Sequence, residues 1–184
     1  MRIVGGRWRG RALTNVGKGD PGAHLRPTTD RVRESLFNVL EHGDWPSLDG
    51  ARVLDLFAGT GALGLEALSR GADHVCFVEN AAAAGRILAK NIEVLQCVGE
   101  VRVLRKDASR LRRHDGALFD IAFADPPYGT GLGARALTAA LDGGWLKPGA
   151  LVVLEEGREI AVPGVIFADV RKYGDTMVHF GTVA

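Results

Sequence analysis

The sequence predicts an α/β fold: a mostly parallel sheet with helices on both faces. Three observations carry that expectation. Short apolar runs alternate with helix-period segments from residue 51 onward, those runs are nearly continuous, and the first ends in a glycine-rich turn that opens a helix. Strands buried on both faces read as continuous apolar runs, and parallel neighbours need a crossover between them. At 184 residues, 46% hydrophobic and 24% charged, the chain has the size and composition of one α/β domain with a small appendage.

Taken in order, residues 2–13 are expected as a small basic β-hairpin: a strand, a Gly5-Gly6 turn, and a second strand from Trp8 to Leu13. Residues 14–25, with several glycines, Pro21 and His24, read as a loop. Thr28 or Thr29 can cap a helix whose buried face carries Val32, Leu36, Phe37 and Leu40. Trp45, Pro46 and Gly50 mark a connection, which separates a basic arm and helix (1–45) from the main domain (46–184). Strands are then expected at 51–57, 74–79, 101–104, 118–124 and 150–154. Helices are expected at 62–69, 82–95 and 133–141, and a hairpin about Gly174-Asp175 within 165–182.

Several function classes fall away on composition. No apolar run approaches the roughly 18 residues of a membrane span, and the N-terminus lacks an apolar signal segment, so a cytoplasmic protein is expected. Cys76 and Cys97 have no metal-ligand spacing and are expected as packing residues; no metal is expected. The net charge of +1 conceals an asymmetry: residues 1–33 hold eight Lys/Arg and two Asp, a net +6, which leaves −5 for the remainder. Such an arm suits phosphates, although a solvated tail has the same composition.

Gly59, Gly61 and Gly64 satisfy G-x-G-x-x-G between a strand and a helix, where glycines let the backbone approach a ligand. That motif serves dinucleotides as well. Asp55 separates the two readings, because a carboxylate inside the strand would repel a pyrophosphate and attract an ammonium or sulfonium. Glu79, followed by Asn80, closes the second strand and can accept ribose hydroxyls. Asp107, with Ala108, can meet an adenine amino group or equally cap a turn. Asp125-Pro126-Pro127-Tyr128 follows the fourth strand. Its prolines stiffen the backbone, so the Asp125 carboxylate and a carbonyl near Pro126 can hold an exocyclic amine, while Tyr128 stacks a base.

These residues resemble the class I S-adenosylmethionine methyltransferases: Asp55-Leu56-Phe57-Ala58-Gly59-Thr60-Gly61 is similar to their first motif, and Glu79 to their second acidic position. The resemblance implies S-adenosyl-L-methionine as cofactor and a Rossmann-like seven-stranded sheet with an antiparallel last strand. The Asp-Pro-Pro-Tyr signature is shared by enzymes acting on adenine in DNA and on guanine in RNA. With the arm Arg2–Arg11, the run Arg26–Asn38 and Lys172–Thr176, the chain closely resembles the bacterial 16S ribosomal RNA guanine-N2 methyltransferases. That likeness implies a guanine of 16S ribosomal RNA in a small-subunit particle as substrate. It also implies RNA contacts from Arg2, Arg7, Trp8, Arg9, Arg11, Arg26, Arg31 and Arg33. A monomer is expected. The competing readings are a DNA adenine methyltransferase, a non-catalytic RNA-binding assembly factor and, last, a dinucleotide oxidoreductase. The loop at Gly17–His24 has no assigned role.

Overall fold

The computed structural model describes residues 1–15, 29–127, 129–174 and 176–184. Arg26, Thr28, Tyr128, Asp175 and the loop Gly17–His24, all singled out above, lie outside the described residues. Strands β1 (Arg52–Asp55), β2 (His74–Val78), β3 (Val101–Leu104), β4 (Phe119–Ala124), β5 (Leu146–Glu156), β6 (Val165–Tyr173) and β7 (Thr176–Val183) form one sheet. Their order is β3-β2-β1-β4-β5-β7-β6. β1 to β5 run parallel, β7 is antiparallel to β5, and β6 is antiparallel to β7. The expected α/β sheet with its antiparallel C-terminal hairpin is what the chain forms.

Successive side chains of a strand point to opposite faces, so each strand feeds two cores. On one face, Val53, Val75, Ile121, Phe123 and Phe180 meet helices α1 (Asp30–His42), α2 (Ala62–Ser69) and α3 (Ala82–Leu95) through Phe37, Leu65 and Leu88. On the other, Leu54, Cys76, Ala122 and Leu154 meet helix α4 (Leu132–Asp142) through Ala136, Leu137 and Ala140. Helix α1 begins where expected, with the Thr29 hydroxyl accepting from the Val32 amide at 3.3 Å. Cys76 and Cys97 are free and buried, as packing residues are. Among the described residues, no helix is long and apolar enough to cross a membrane.

β1 is shorter than expected, ending at Asp55, and two elements differ further. β5 starts at Leu146, four residues early, because Pro148 and Gly149 look like a turn yet sit where the β4–β5 register shifts. A proline is tolerated in such an irregularity, where no ladder donor is needed. The N-terminal arm does fold back on itself, with Ile3 donating to Arg11 and Leu13 to Met1 at 3.0 Å each. However, the arm has one isolated bridge, Arg2 to Ala12, and its turn is a 3-10 segment at Gly6–Trp8. Helix side chains replace ladder partners here. Glu66 accepts from the Val4 and Gly5 amides at 2.9 and 2.8 Å, and Ser69 Oγ from the Trp8 amide at 3.0 Å. Gly6 has φ +71°, and a Cβ there would stand 1.8 Å from the Ser69 carbonyl oxygen, so no other residue fits.

The arm therefore runs along α2. Its ends, Met1 and Thr14, lie by Thr60, and its tip lies at Glu66 and Ser69. The helix they follow is eight residues long, about 12 Å.

Candidate active site

β1 has β2 on one side and β4 on the other, so the crossovers after β1 and β4 leave the sheet in a crevice at their shared carboxyl end. The two segments are joined there by a hydrogen bond from the Leu56 amide to the Phe123 carbonyl at 2.9 Å. The glycine turn after β1 and Asp125-Pro126-Pro127 after β4 thus open onto the same end of the sheet.

The three motif glycines do different things. Gly59 has φ +55°, and a Cβ built there meets only the Phe57 carbonyl oxygen at 3.9 Å; the space in front of it is open. At Gly61, φ +87°, a Cβ would stand 2.5 Å from a Leu88 methyl of α3. At Gly64 it would stand 2.3 Å from the Phe77 ring, so this glycine serves the close approach of α2 to β2. Thr60 and Ala58 are buried and Phe57 half-buried.

Asp55 is buried at the end of β1. One carboxylate oxygen accepts from the Gly64 amide at 3.1 Å; the other is buried and, among the described residues, has no partner at hydrogen-bond geometry. Burial pushes its pKa up to about 7, against the pull of the Gly64 amide and with a further push from the Glu79 charge. Glu79 reaches back to the turn and accepts from the Gly59 amide at 2.8 Å and the Ala81 amide at 2.6 Å. Asn80 is exposed beside it. Asp107 caps the turn Ala108–Arg110, accepting from the Ser109 amide and hydroxyl at 2.9 and 2.7 Å, which lowers its pKa. Ala108 is buried beneath it.

In the facing loop, Asp125 is half-buried, Pro126 buried and Pro127 exposed. The Pro127 carbonyl accepts from the Thr130 hydroxyl at 2.8 Å, whereas no donor among the described residues reaches the Pro126 carbonyl. A Cβ on Gly133 would stand 3.0 Å from Pro126 Cγ, so α4 packs directly on that ring. Glu156, buried at the end of β5, accepts from the Gly157 amide at 2.9 Å and weakly from Gly129 at 3.4 Å. The loop is clamped from beneath and from its far end.

Two polar anchors escape the sequence reading. Asn91, fully buried on α3, donates to the Thr60 carbonyl at 2.9 Å and to the Thr14 carbonyl at 3.0 Å, and accepts from the Thr14 amide at 2.7 Å. It ties the glycine turn to the arm. Glu66 does the same for the arm's tip. The available signal was a polar residue at a core position: Asn91 falls beside Leu88, Ile92 and Leu95, and Glu66 sits in an otherwise apolar helix.

The arm's cations divide. Arg33, expected to contact RNA, is instead fully buried, with its guanidinium on the Arg2 carbonyl, Asp30 at 2.9 Å and Glu66 at 3.5 Å. Its helix turns it inward, where it binds the arm to α1 and α2. Arg2 lies 3.7 Å from Asp30, and Arg7 pairs with Glu100 while its guanidinium covers the half-buried Trp8 ring at 4.0 Å. Arg9, Arg11 and Arg31 are exposed.

A family model described as conserved hypothetical protein 95 matches residues 1–182. Ribosomal RNA small subunit methyltransferase D of Escherichia coli K12 is 43% identical over 165 residues, covering 90% of this chain and 79% of that protein. The chain belongs to the ribosomal RNA small subunit methyltransferase D family. A second relative, the putative rRNA methyltransferase YlbH of Bacillus subtilis, is 37% identical over 171 residues, with 90% and 88% covered. The solved structure described as putative methyltransferase yhhF from Escherichia coli superimposes with a TM-score of 0.84 at 39% identity, covering 100% of this chain and 97% of that one. That superposition extends along the whole of this chain.

Proposed function

We propose that this protein transfers a methyl group from S-adenosylmethionine to the exocyclic N2 of a guanine in 16S ribosomal RNA. The observation that carries the reading is the adjacency of the glycine turn and the Asp125-Pro126-Pro127 loop at the carboxyl ends of β1 and β4. The relatives' names support ribosomal RNA as the substrate class.

The residues present fit the cofactor. Among the described residues Asp55 keeps a buried oxygen without a hydrogen-bond partner, where a cation would be attracted, Gly59 leaves open space, and the Glu79 carboxylate at the turn would accept ribose hydroxyls. On this reading Phe57, Ala58, Thr60, Gly61, Asn80, Asp107 and Ala108 complete the cofactor's surroundings, while Gly64 lets α2 pack on the Phe77 ring of β2. When bound, the cofactor supplies an electrophilic methyl group on a sulfonium. The chain's own part is to hold the amine. An exocyclic amine is a poor nucleophile because its lone pair is spread into the ring. The Asp125 carboxylate and the Pro126 carbonyl accept its two hydrogens and direct the lone pair outward, and Asp125 is the group at hand for the proton released. Tyr128 stacks the base, worth about 1–3 kcal/mol. Positioning of this kind is worth roughly 7–11 kcal/mol in favourable cases. Arg2, Arg7, Trp8, Arg9, Arg11, Arg26 and Arg31 approach the RNA.

The test is methyl transfer to small-subunit particles, protein-free 16S RNA and duplex DNA, with nucleosides read by mass spectrometry. N2-methylguanosine in RNA, abolished in Asp125→Ala with cofactor affinity retained, is the expected result. Methyladenine in DNA, or no labelled guanine in either RNA substrate, overturns the reading.

A further inference from the structure

A second basic surface lies far along the chain from the arm. Residues 102–113 hold six cations, Arg102, Arg105, Lys106, Arg110, Arg112 and Arg113, against one acid, Asp107. All six are exposed. Among the described residues, one of them has an acid within 4.0 Å: Arg110, with Asp107 at 3.7 Å. The arm differs in part: Arg2 and Arg7 are each paired to a carboxylate, whereas Arg9 and Arg11 are exposed.

The backbone carrying these cations is fixed. β3 pairs with β2, the Asp107 side chain caps the turn that follows, and Leu111 is buried in the core on the α4 side. The Arg112 carbonyl then accepts from Trp145 Nε1 at 2.8 Å. The His114 amide donates to the Gly143 carbonyl at 2.8 Å, and its ring stacks on Trp145 at 4.2 Å. The segment is therefore a ridge. It starts within β3, passes that strand's carboxyl end beside the candidate site, and runs down the α4 side of the sheet, opposite the face that holds the arm. Exposed, unpaired guanidiniums on a rigid frame suit phosphates, each of which they can engage through two parallel hydrogen bonds. The only exposed large apolar side chain within the segment is Val103, so it lacks the apolar centre that a protein partner would bury.

We propose that this ridge binds the phosphodiester backbone of the RNA that flanks the target nucleotide, so that the substrate is gripped on both sides of the sheet. The inference rests on the RNA reading above and adds a contact surface to it.

The experiment compares the wild-type protein with the fourfold variant Arg105→Gln, Lys106→Gln, Arg112→Gln, Arg113→Gln. Binding to protein-free 16S RNA and to small-subunit particles is measured across a salt series, with Tm as the check on folding. Each lost phosphate contact lowers the slope of log affinity against log salt by roughly 0.7–0.9, so a decrease of about 3 is expected, with affinity at low salt reduced at least about tenfold. The loss should appear in KM for RNA and leave cofactor affinity unchanged. A reduced slope supports the ridge whether or not N2-methylguanosine is the product. An unchanged slope overturns the ridge even if guanine is methylated. Weakened binding to particles alone, with protein-free RNA unaffected, assigns the surface to a protein partner and overturns the proposal as well.

Discussion

The Gly64 amide donates to the Asp55 carboxylate at 3.1 Å, which ties the first turn of α2 to the end of β1 and leaves the second Asp55 oxygen buried without a hydrogen-bond partner among the described residues. That unpaired oxygen makes Asp55 a cost to the protein alone. Its pKa is about 7 in the fold against an ordinary value of 3.8. Between those values the folded chain holds a proton that the unfolded chain has released. The group's stability contribution is thus fully present below about 3.8, falls as pH rises to about 7, and is constant above. Asp55→Asn removes the dependence. Without cofactor, the variant should melt above the wild type at pH 8, and the gap should close at pH 4. A gap equal at both pH values would refute this account of Asp55.

The same titration should govern cofactor binding. A cationic ligand prefers the ionised carboxylate, so affinity for S-adenosylmethionine should rise with pH through about 7. Between pH 6 and pH 8 the ionised fraction grows about tenfold, which sets the size of the effect. Calorimetric titration at the two pH values checks it, with Asp55→Asn expected to bind more weakly and without that slope.

Asn91 links two segments through three hydrogen bonds, so its removal should loosen both. Asn91→Leu strands the Thr14 and Thr60 backbone groups in the interior. The expected loss is about 2–4 kcal/mol in denaturant unfolding. Amide exchange should accelerate in residues 1–14 and in the glycine turn, while α4 keeps its protection. Uniform acceleration across the chain would show that Asn91 is only a packing residue.

Gly64 faces the Phe77 ring so closely that a methyl group cannot be added without displacement. Gly64→Ala should cost about 1–3 kcal/mol, the range for overpacked cores. Adding Phe77→Leu should recover part of that loss, which a ligand-binding role for Gly64 would not predict. Thermal melts of the single and double variants without cofactor decide between these.

Much of the fold could be read from local pattern. The spans of α2, α3 and β3 match the periodicity because each is bounded by its own signal: the glycine turn before α2, and loop residues beyond the ends of the others. The start of β5 is not legible locally because Pro148-Gly149 has the composition of a turn, and only pairing with β4 draws it into the sheet. The arm departs from a regular hairpin for a related reason. Its donors are satisfied by Glu66 and Ser69 more than 60 residues away, and no local pattern records that.

The sequence by itself determined the order of strands and helices, the backbone freedom at Gly59 and Gly61, and the chemistry available at Asp55, Glu79 and Asp125. These depend on residue type and short spacing, which the chain carries wherever it goes. Tertiary structure alone decided which of those groups meet and which cations remain outside. Arg33 and Arg31 are indistinguishable in composition, yet one is enclosed by Asp30 and Glu66 and the other faces solvent. Burial and partner geometry arise only when distant segments pack, so the free charge of a surface cannot be counted along the chain.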